Sequence, residues 1–473
     1  MAGWGLCKGV RGLAVGTIAI AAVPFLSPLA SADTLEGALV QAYQNNPTLN
    51  AQRASVRATD EGVPQALAGY RPRVSFNGSI GQQYSDTTTR SQTLGTGNTY
   101  TQFSGTMTPS NFGVTATQTL YNGFQTPNRT RQAESQVQAA RENLRVGEQA
   151  VLLSAVTAYM NLLRDGAILD LQRRNVEVLQ EQLRQTRDRF NVGEVTRTDV
   201  AQSESRLAAG RSQVLNAEAV YKASVATYRQ VIGVEPGKLA PGSPVDRFSP
   251  HNLPAAVGLA TATHPAVTSA QYNVDAALLQ VKVAEGALYP TLALQGNVQQ
   301  SYETSLLGLK SFNASVIGQL TVPIYQGGAE YSLIRQAKET LGQRRLDLDS
   351  SRDQVRQSVV QAWGQLEAAK ANIDATQAQV QASEIALNGV REEARVGQRT
   401  TLDVLNAQQE LVNARVSLVS AQRDRVVASY TLLSAVGRLS PQVLALRVPV
   451  YDSNVHYQQV RDTWAGVRTP DGR

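Results

Sequence analysis

Residues 396–407 read VGQRTTLDVLNA, and residues 192–203 read VGEVTRTDVAQS. The strings lie 204 positions apart and keep a glycine, a threonine and an aspartate in register: Gly397 with Gly193, Thr400 with Thr196, Asp403 with Asp199. Carried upstream, the same spacing sets Tyr325-Gln326-Gly327 on Tyr121-Asn122-Gly123 and Arg335-Gln336-Ala337 on Arg131-Gln132-Ala133. Carried downstream, it sets Gly437 on Gly233. Colinear agreement over more than 100 residues is an internal duplication, not a chance motif. Nearer the start the spacing becomes 218, with Asn46-Pro47 on His264-Pro265 and Tyr70-Arg71-Pro72 opposite Leu288-Tyr289-Pro290. The first copy therefore carries about 14 extra residues. They belong in 86–110, a Thr/Ser/Gly-rich stretch that reads as an exposed loop.

Between each proline and its loop the periodicity is two. Val74, Phe76, Gly78, Ile80, Gln82 and Tyr84 alternate with Arg73, Ser75, Asn77, Ser79, Gly81 and Gln83. Leu292, Leu294, Gly296, Val298, Gln300 and Tyr302 repeat the first series. Returning segments at 112–121 and 312–325 alternate more loosely, so each copy gives one hairpin with an apolar and a polar face. A half-exposed soluble hairpin is the competing explanation of any one of them. Four such strands of about 10 residues fit a membrane β-barrel, with lipid outside and water inside. Four strands cannot close one, and lipid does not tolerate open edges, so the barrel must be shared between chains.

Downstream the period becomes seven. Leu162, Leu169, Val176, Leu183 and Phe190 form one column, and Leu366, Ile373, Val380, Leu387 and Ala394 form the same column in the second copy. A strict seven-residue repeat implies left-handed supercoiling of packed helices. The stretch 133–190 alone would span about 87 Å as a helix. Each long helix meets a glycine, turns, and returns as a shorter helix.

These signals divide the chain. A leader occupies 1–32: a weakly basic start (Lys8, Arg11), an apolar run over 13–26, and Ala30-Ser31-Ala32 before Asp33. The run is short for a membrane anchor of about 20 residues. Repeat 1 covers 33–252, with a hairpin at about 72–121, a long helix at about 128–191, a tip turn at about 192–198, a helix to about 233 and a linker. Repeat 2 covers 253–439, with a hairpin at about 290–325, a long helix at about 328–395, a tip turn at about 396–402 and a helix to about 437. The tail, 440–473, ends in a sequence that reads as disordered.

The single cysteine, Cys7, falls in the leader, which leaves no disulfide framework and no thiolate metal site beyond it. Without Lys8 and Arg11 the formal charge of +6 becomes about +4, spread along the chain, and nucleic acid is not implied. His251, His264 and His456 have no metal-ligand spacing, no nucleophile motif is present, and neither an enzyme nor a cofactor is indicated.

The Asn45-Asn46-Pro47 helix start, the Tyr-x-Pro at the hairpin, Leu120-Tyr121-Asn122-Gly123 at the return to helix, and above all VGQRTTLDVLNA resemble the TolC family of outer-membrane efflux proteins. The resemblance covers nearly the whole chain. It implies a mainly α fold with a small membrane β part, in which four strands per chain make a twelve-stranded trimeric β-barrel. Long coiled-coil helices would continue that barrel as an α-barrel into the periplasm. It implies a homotrimer in the outer membrane, in contact with its lipid, acting as the exit duct of a tripartite pump or type I secretion system. The partners would be a periplasmic adaptor and an inner-membrane transporter.

The same resemblance makes both quoted strings tip turns, with Val192, Gly193, Val396 and Gly397 at adaptor-docking positions. Asp403 and Asn406 match the pore constriction, where a second aspartate is usual in place of Asn406. Arg399 falls opposite Thr198 and Asp199 of a closed-state latch, and the aromatic that usually adds to the latch is replaced by Ala394. For Asp403 the competing role is a helix cap, as for Asp199 in the first copy. The rival for the whole chain is a non-channel periplasmic coiled-coil adaptor or scaffold, which would show one helical hairpin rather than two copies of one unit.

Overall fold

The computed structural model describes residues 34–93, 95, 97–305, 308–470 and 472; the predicted leader lies outside them. In chain order the elements are α1 (Leu35–Asn45), α2 (Pro47–Asp60), α3 (Gly62–Leu67), β1 (Arg73–Ile80), β2 (Gln83–Thr93), β3 (Gly97–Met107), β4 (Ser110–Asn122), α4 (Gln125–Asn191) and α5 (Arg197–Ile232). The second copy supplies α6 (Leu253–Thr263), α7 (Pro265–Gly286), β5 (Thr291–Tyr302), β6 (Ser311–Thr321), α8 (Ala329–Arg395) and α9 (Thr401–Ala435), and the tail supplies α10 (Ser453–Val460).

The duplication shows at the helix starts. Asn46 caps α2 by accepting from the amides of Thr48 and Leu49, and Pro47 follows where no amide partner is needed. His264 does the same for α7 through Nδ1, which accepts from the Ala266 amide at 3.1 Å, followed by Pro265. The copies differ where Pro64 stands: its missing N–H accompanies the break between α2 and α3, whereas α7 runs unbroken for 22 residues.

Both α4 and α8 have 67 residues, about 100 Å each. Neither is amphipathic along a single stripe, because α4 meets α5, α7 and α9 in succession and α8 meets α6, α7 and α9. The largest core sits midway along the helices, where Leu39, Tyr43 and Leu49 pack on Leu152, Val156 and Tyr159 of α4, with Tyr228, Ile232 and Leu433 closing it. Fully burying one such side chain stabilises by about 1.5–3 kcal/mol. The buried tyrosines keep their hydroxyls paired: Tyr159 donates to the Ala240 carbonyl at 2.6 Å and Tyr43 to Glu148 Oε1 at 2.9 Å.

Strands β1, β4, β5 and β6 form one antiparallel sheet in that order. Its register aligns Phe76 with Val114, Val114 with Val298, and Val298 with Ala314, so one face is continuously apolar. The alternate face carries Ser75, Thr115, Asn297 and Ser315 in the same rows, with the Thr115 hydroxyl 3.2 Å from Asn297 Oδ1. The apolar face is open, with Phe76 69% exposed and Val316 76% exposed. Strands β1 and β6 are the sheet's two edges.

One expectation is corrected. The stretch 86–110 is not a loop, since β2 and β3 pair antiparallel from Gln83 with Met107 to Thr93 with Gly97. Both its faces are mostly Thr, Ser, Gln and Asn, so no apolar alternation marks it, although β-branched threonine favours extended backbone. Ahead of the ending 469–473, the tail carries α10, which packs on α2, and the His456 Nδ1 to Asp60 Oδ2 contact, 3.0 Å long and buried, ties them together. Among the described residues no helix is long and apolar enough to cross a membrane.

Candidate functional site at the helical tips

Each long helix ends in the same way. At the end of α4 the Gly193 amide donates to the Phe190 carbonyl and the Glu194 amide to the Arg189 carbonyl, at 3.0 and 2.9 Å. At the end of α8 the Gly397 amide donates to Ala394 and the Gln398 amide to Glu393, at 3.2 and 2.9 Å. This double bond pattern requires a left-handed residue after the helix, and the glycines supply it with φ of 81° and 84°. The returning helices then start on matched capping boxes. The Thr196 hydroxyl accepts from the Asp199 amide while Asp199 accepts from the Thr196 amide, and Thr400 and Asp403 repeat the arrangement.

Asp403 is therefore a cap residue in this structure. Its Oδ2 accepts from the Thr400 amide at 3.0 Å and from the Thr400 hydroxyl at 2.9 Å. Those bonds hold its carboxyl below the ordinary carboxylate range, so it is ionised at neutral pH. Asp199 is engaged identically by Thr196.

Arg399 does not meet Thr198 or Asp199 within one chain. Its Nε donates to Glu393 Oε2 at 2.9 Å, on the last turn of α8, and the pair is half exposed. Arg399 and Asp199 nevertheless line one open cleft between the two tips. From the first copy that cleft is edged by Glu177, Glu181, Asp188, Glu194 and Asp199 with Arg189, and from the second by Arg391, Arg395 and Arg399 with Glu392. An acidic side thus meets a basic one, while Arg189, Arg395 and Arg399 are paired within their own hairpins with Glu194, Glu392 and Glu393, exposed contacts that are individually weak.

The cleft closes towards Leu405, which inserts from α9 between Leu179, Leu183 and Leu207 of the first hairpin. Asn406, beside it, accepts at 2.6 Å from Arg206 Nη2 of α5. Sequence reading did not single out Arg206; a signal was available in its place on α5, seven residues after the Asp199 cap. Val192 and Val396 project from the turns at 72% and 65% exposure.

Comparison with known proteins agrees with this architecture. The family model for outer membrane efflux protein matches residues 38–234 and 256–438, one segment per repeat. The outer membrane efflux protein BepC of Brucella suis is 42% identical over 469 residues, covering 98% of this chain and 99% of its own. The outer membrane protein TolC of Escherichia coli is 26% identical over 434 residues, covering 88% of this chain and 85% of its own. The solved outer membrane channel CmeC of Campylobacter jejuni superposes with a TM-score of 0.74 at 16% identity, covering 90% of this chain and 89% of that one. With a family match across both repeats and a relative aligned almost end to end, the chain belongs to the TolC family of outer membrane efflux proteins and resides in the outer membrane.

Proposed function

We propose that three copies of this chain form a continuous duct, the outer-membrane exit of a tripartite efflux pump or type I secretion system. The observation that carries the reading is the four-stranded sheet: open at β1 and β6, apolar on one face, polar on the other. In the order β1-β4-β5-β6 the edge strands run in opposite senses, so β6 of one copy can continue onto β1 of the next in an antiparallel ladder. Closure removes both edges, as lipid demands. The long helices also expose Leu333, Leu346 and Ile385 of α8 on a side that no element of the same chain covers, which suits a neighbouring copy.

At the far end of the duct the three pairs of tips converge. Asp403 and Asn406 ring the constriction, Asp403 serving as cap and as pore charge at once. Arg399 exchanges Glu393 for Thr198 and Asp199 of a neighbouring tip to latch the closed state, and without an aromatic at Ala394 this latch is loose. A periplasmic adaptor docks on Val192, Gly193, Val396 and Gly397 and opens the tips, with the inner-membrane transporter behind it supplying substrate.

Single-channel conductance of the purified trimer in a planar bilayer tests the reading. The expected result is a small conductance that rises when Arg399→Ser removes the latch. A folded trimer that conducts in neither form would overturn the duct.

A further inference from the structure

We infer that the C-terminal tail is a membrane-interface anchor that seats Trp464 in phospholipid of the periplasmic leaflet. The inference rests on the four-stranded sheet lying in that membrane. The tail leaves the helical core at α10, which is held firmly. The Arg141 Nη1 donates to Asn454 Oδ1 at 2.6 Å, its guanidinium lies 5.1 Å from the Tyr457 ring centre, and Tyr457 packs on Val63, Ala133 and Val137. From this base the chain runs towards the sheet. Arg71, two residues before β1, donates through Nη1 to the Thr463 carbonyl at 2.7 Å, and its guanidinium lies 4.7 Å from the Trp464 ring centre. Trp464 is thereby fixed at the level where the sheet begins, with its outer face 72% exposed.

A large aromatic held in place yet left uncovered calls for an occupant. At the other strand–helix junctions along the sheet, Tyr70, Phe124, Tyr289 and Tyr325 are also exposed. Aromatic rings thus mark the same end of the strands that carry the open apolar face of Phe76, Val114 and Val316. Tryptophan and tyrosine prefer this boundary, where the ring enters the acyl edge and the polar atom stays with the headgroups. The charge fits as well: Arg73 at the start of β1 and Arg461 and Arg468 on either side of Trp464 in sequence are exposed, with Asp462 beside Arg461. These guanidinium groups suit lipid phosphates. Val467, three residues after Trp464 and 99% exposed, adds an uncovered apolar side chain.

The chain has three tryptophans, Trp4, Trp363 and Trp464, so Trp4→Phe with Trp363→Phe leaves Trp464 as the sole emitter. This full-length trimer would be reconstituted in phosphatidylethanolamine and phosphatidylglycerol vesicles, with and without bromine high on the acyl chains. The expected result is loss of Trp464 emission in the brominated vesicles and protection from acrylamide in water. Adding Arg71→Ala should release the tail and reverse both. Emission quenched by acrylamide and not by bromine would overturn the anchor in favour of a solvated tail; protection from both would overturn it in favour of a protein neighbour. A control carrying Phe76→Trp in place of Trp464, itself replaced by Phe, reports the sheet. If bromine quenches the control and spares Trp464, the anchor fails while the barrel stands; if it spares both, the barrel itself fails.

Discussion

Arg206 of α5 donates through Nη2 to Asn406 Oδ1 of α9 at 2.6 Å, joining the two helical hairpins of one chain within a turn of the Asp403 cap. The contact sets a cation beside Asn406, the position of the proposed constriction at which an asparagine stands in place of a second acid. Asn406→Asp would convert the acceptor to a carboxylate and strengthen the bond, stabilising the tip by about 0.5 kcal/mol. Because Arg206 offsets the new charge, Asn406→Asp alone should shift cation preference little. The pair Asn406→Asp with Arg206→Ala should shift it strongly. Reversal potentials under a potassium chloride gradient decide the matter, and equal shifts in both variants would remove Arg206 from the constriction.

Asp403 offers a test by pH. The Thr400 amide and hydroxyl stabilise its charged form, which lowers its pKa. A lowered carboxyl stays ionised as pH falls through the ordinary value of about 3.9, so cation preference should persist below that pH and vanish in Asp403→Asn at every pH. In a ring of three, mutual repulsion acts in the opposite direction. A midpoint well above 3.9 would show that the carboxylates feel one another more than they feel the cap. Thr400→Ala, which removes one hydroxyl bond, should raise the midpoint without abolishing selectivity.

How much of this was legible follows from where the signals lie. The repeat, the switch from period two to period seven and the paired glycines sit in local sequence, and they led to two tandem units of strands and long helices. The β2–β3 hairpin escaped because its threonines and serines give both faces the same polarity, leaving only backbone pairing to specify it. The docking of α10 on α2 escaped for a different reason: Asp60 and His456 are 396 residues apart, and nothing local announces their pairing. At the tips the cap chemistry was foreseeable from Thr-x-x-Asp, whereas the Arg399 to Glu393 bond depends on the turn bringing an arginine back over the preceding helix. Contacts between copies lie outside what one chain can spell out.

The two residues of the Val-Gly pair should separate cleanly by mutation. Nothing lies within 4 Å of a side chain added at Gly397, so Gly397→Ala is penalised only through its φ of 84°. The cost is about 1–2 kcal/mol at the end of α8, visible as faster amide exchange in the tip. Val396 is exposed and caps nothing with its side chain, so Val396→Gln, which brings no negative charge to the C-terminal end of α8, should leave exchange unchanged while weakening capture of the adaptor. If Val396→Gln binds adaptor normally, the docking role belongs elsewhere.

His264 gives a prediction for the start of α7. The ring is buried at the cap of α7, and burial lowers its pKa below the ordinary 6.5, opposed by a hydrogen bond to the Ser434 backbone. The folded chain therefore holds the ring neutral where the unfolded chain protonates it. Between the depressed value and about 6.5 the unfolded state binds more protons, so stability is complete above that window and declines as pH falls through it. Asn46 shows what could replace it, because in the first copy an asparagine caps the equivalent helix and donates its Nδ2 to the Val231 carbonyl at 2.9 Å. His264→Asn should therefore retain the cap at neutral pH, within about 1 kcal/mol of the native protein. It should also flatten the fall in apparent melting temperature between pH 7.5 and 5.5. Measured on the reconstituted trimer, an unchanged fall would assign the acid sensitivity to other groups; a fall that disappears would place it at this cap.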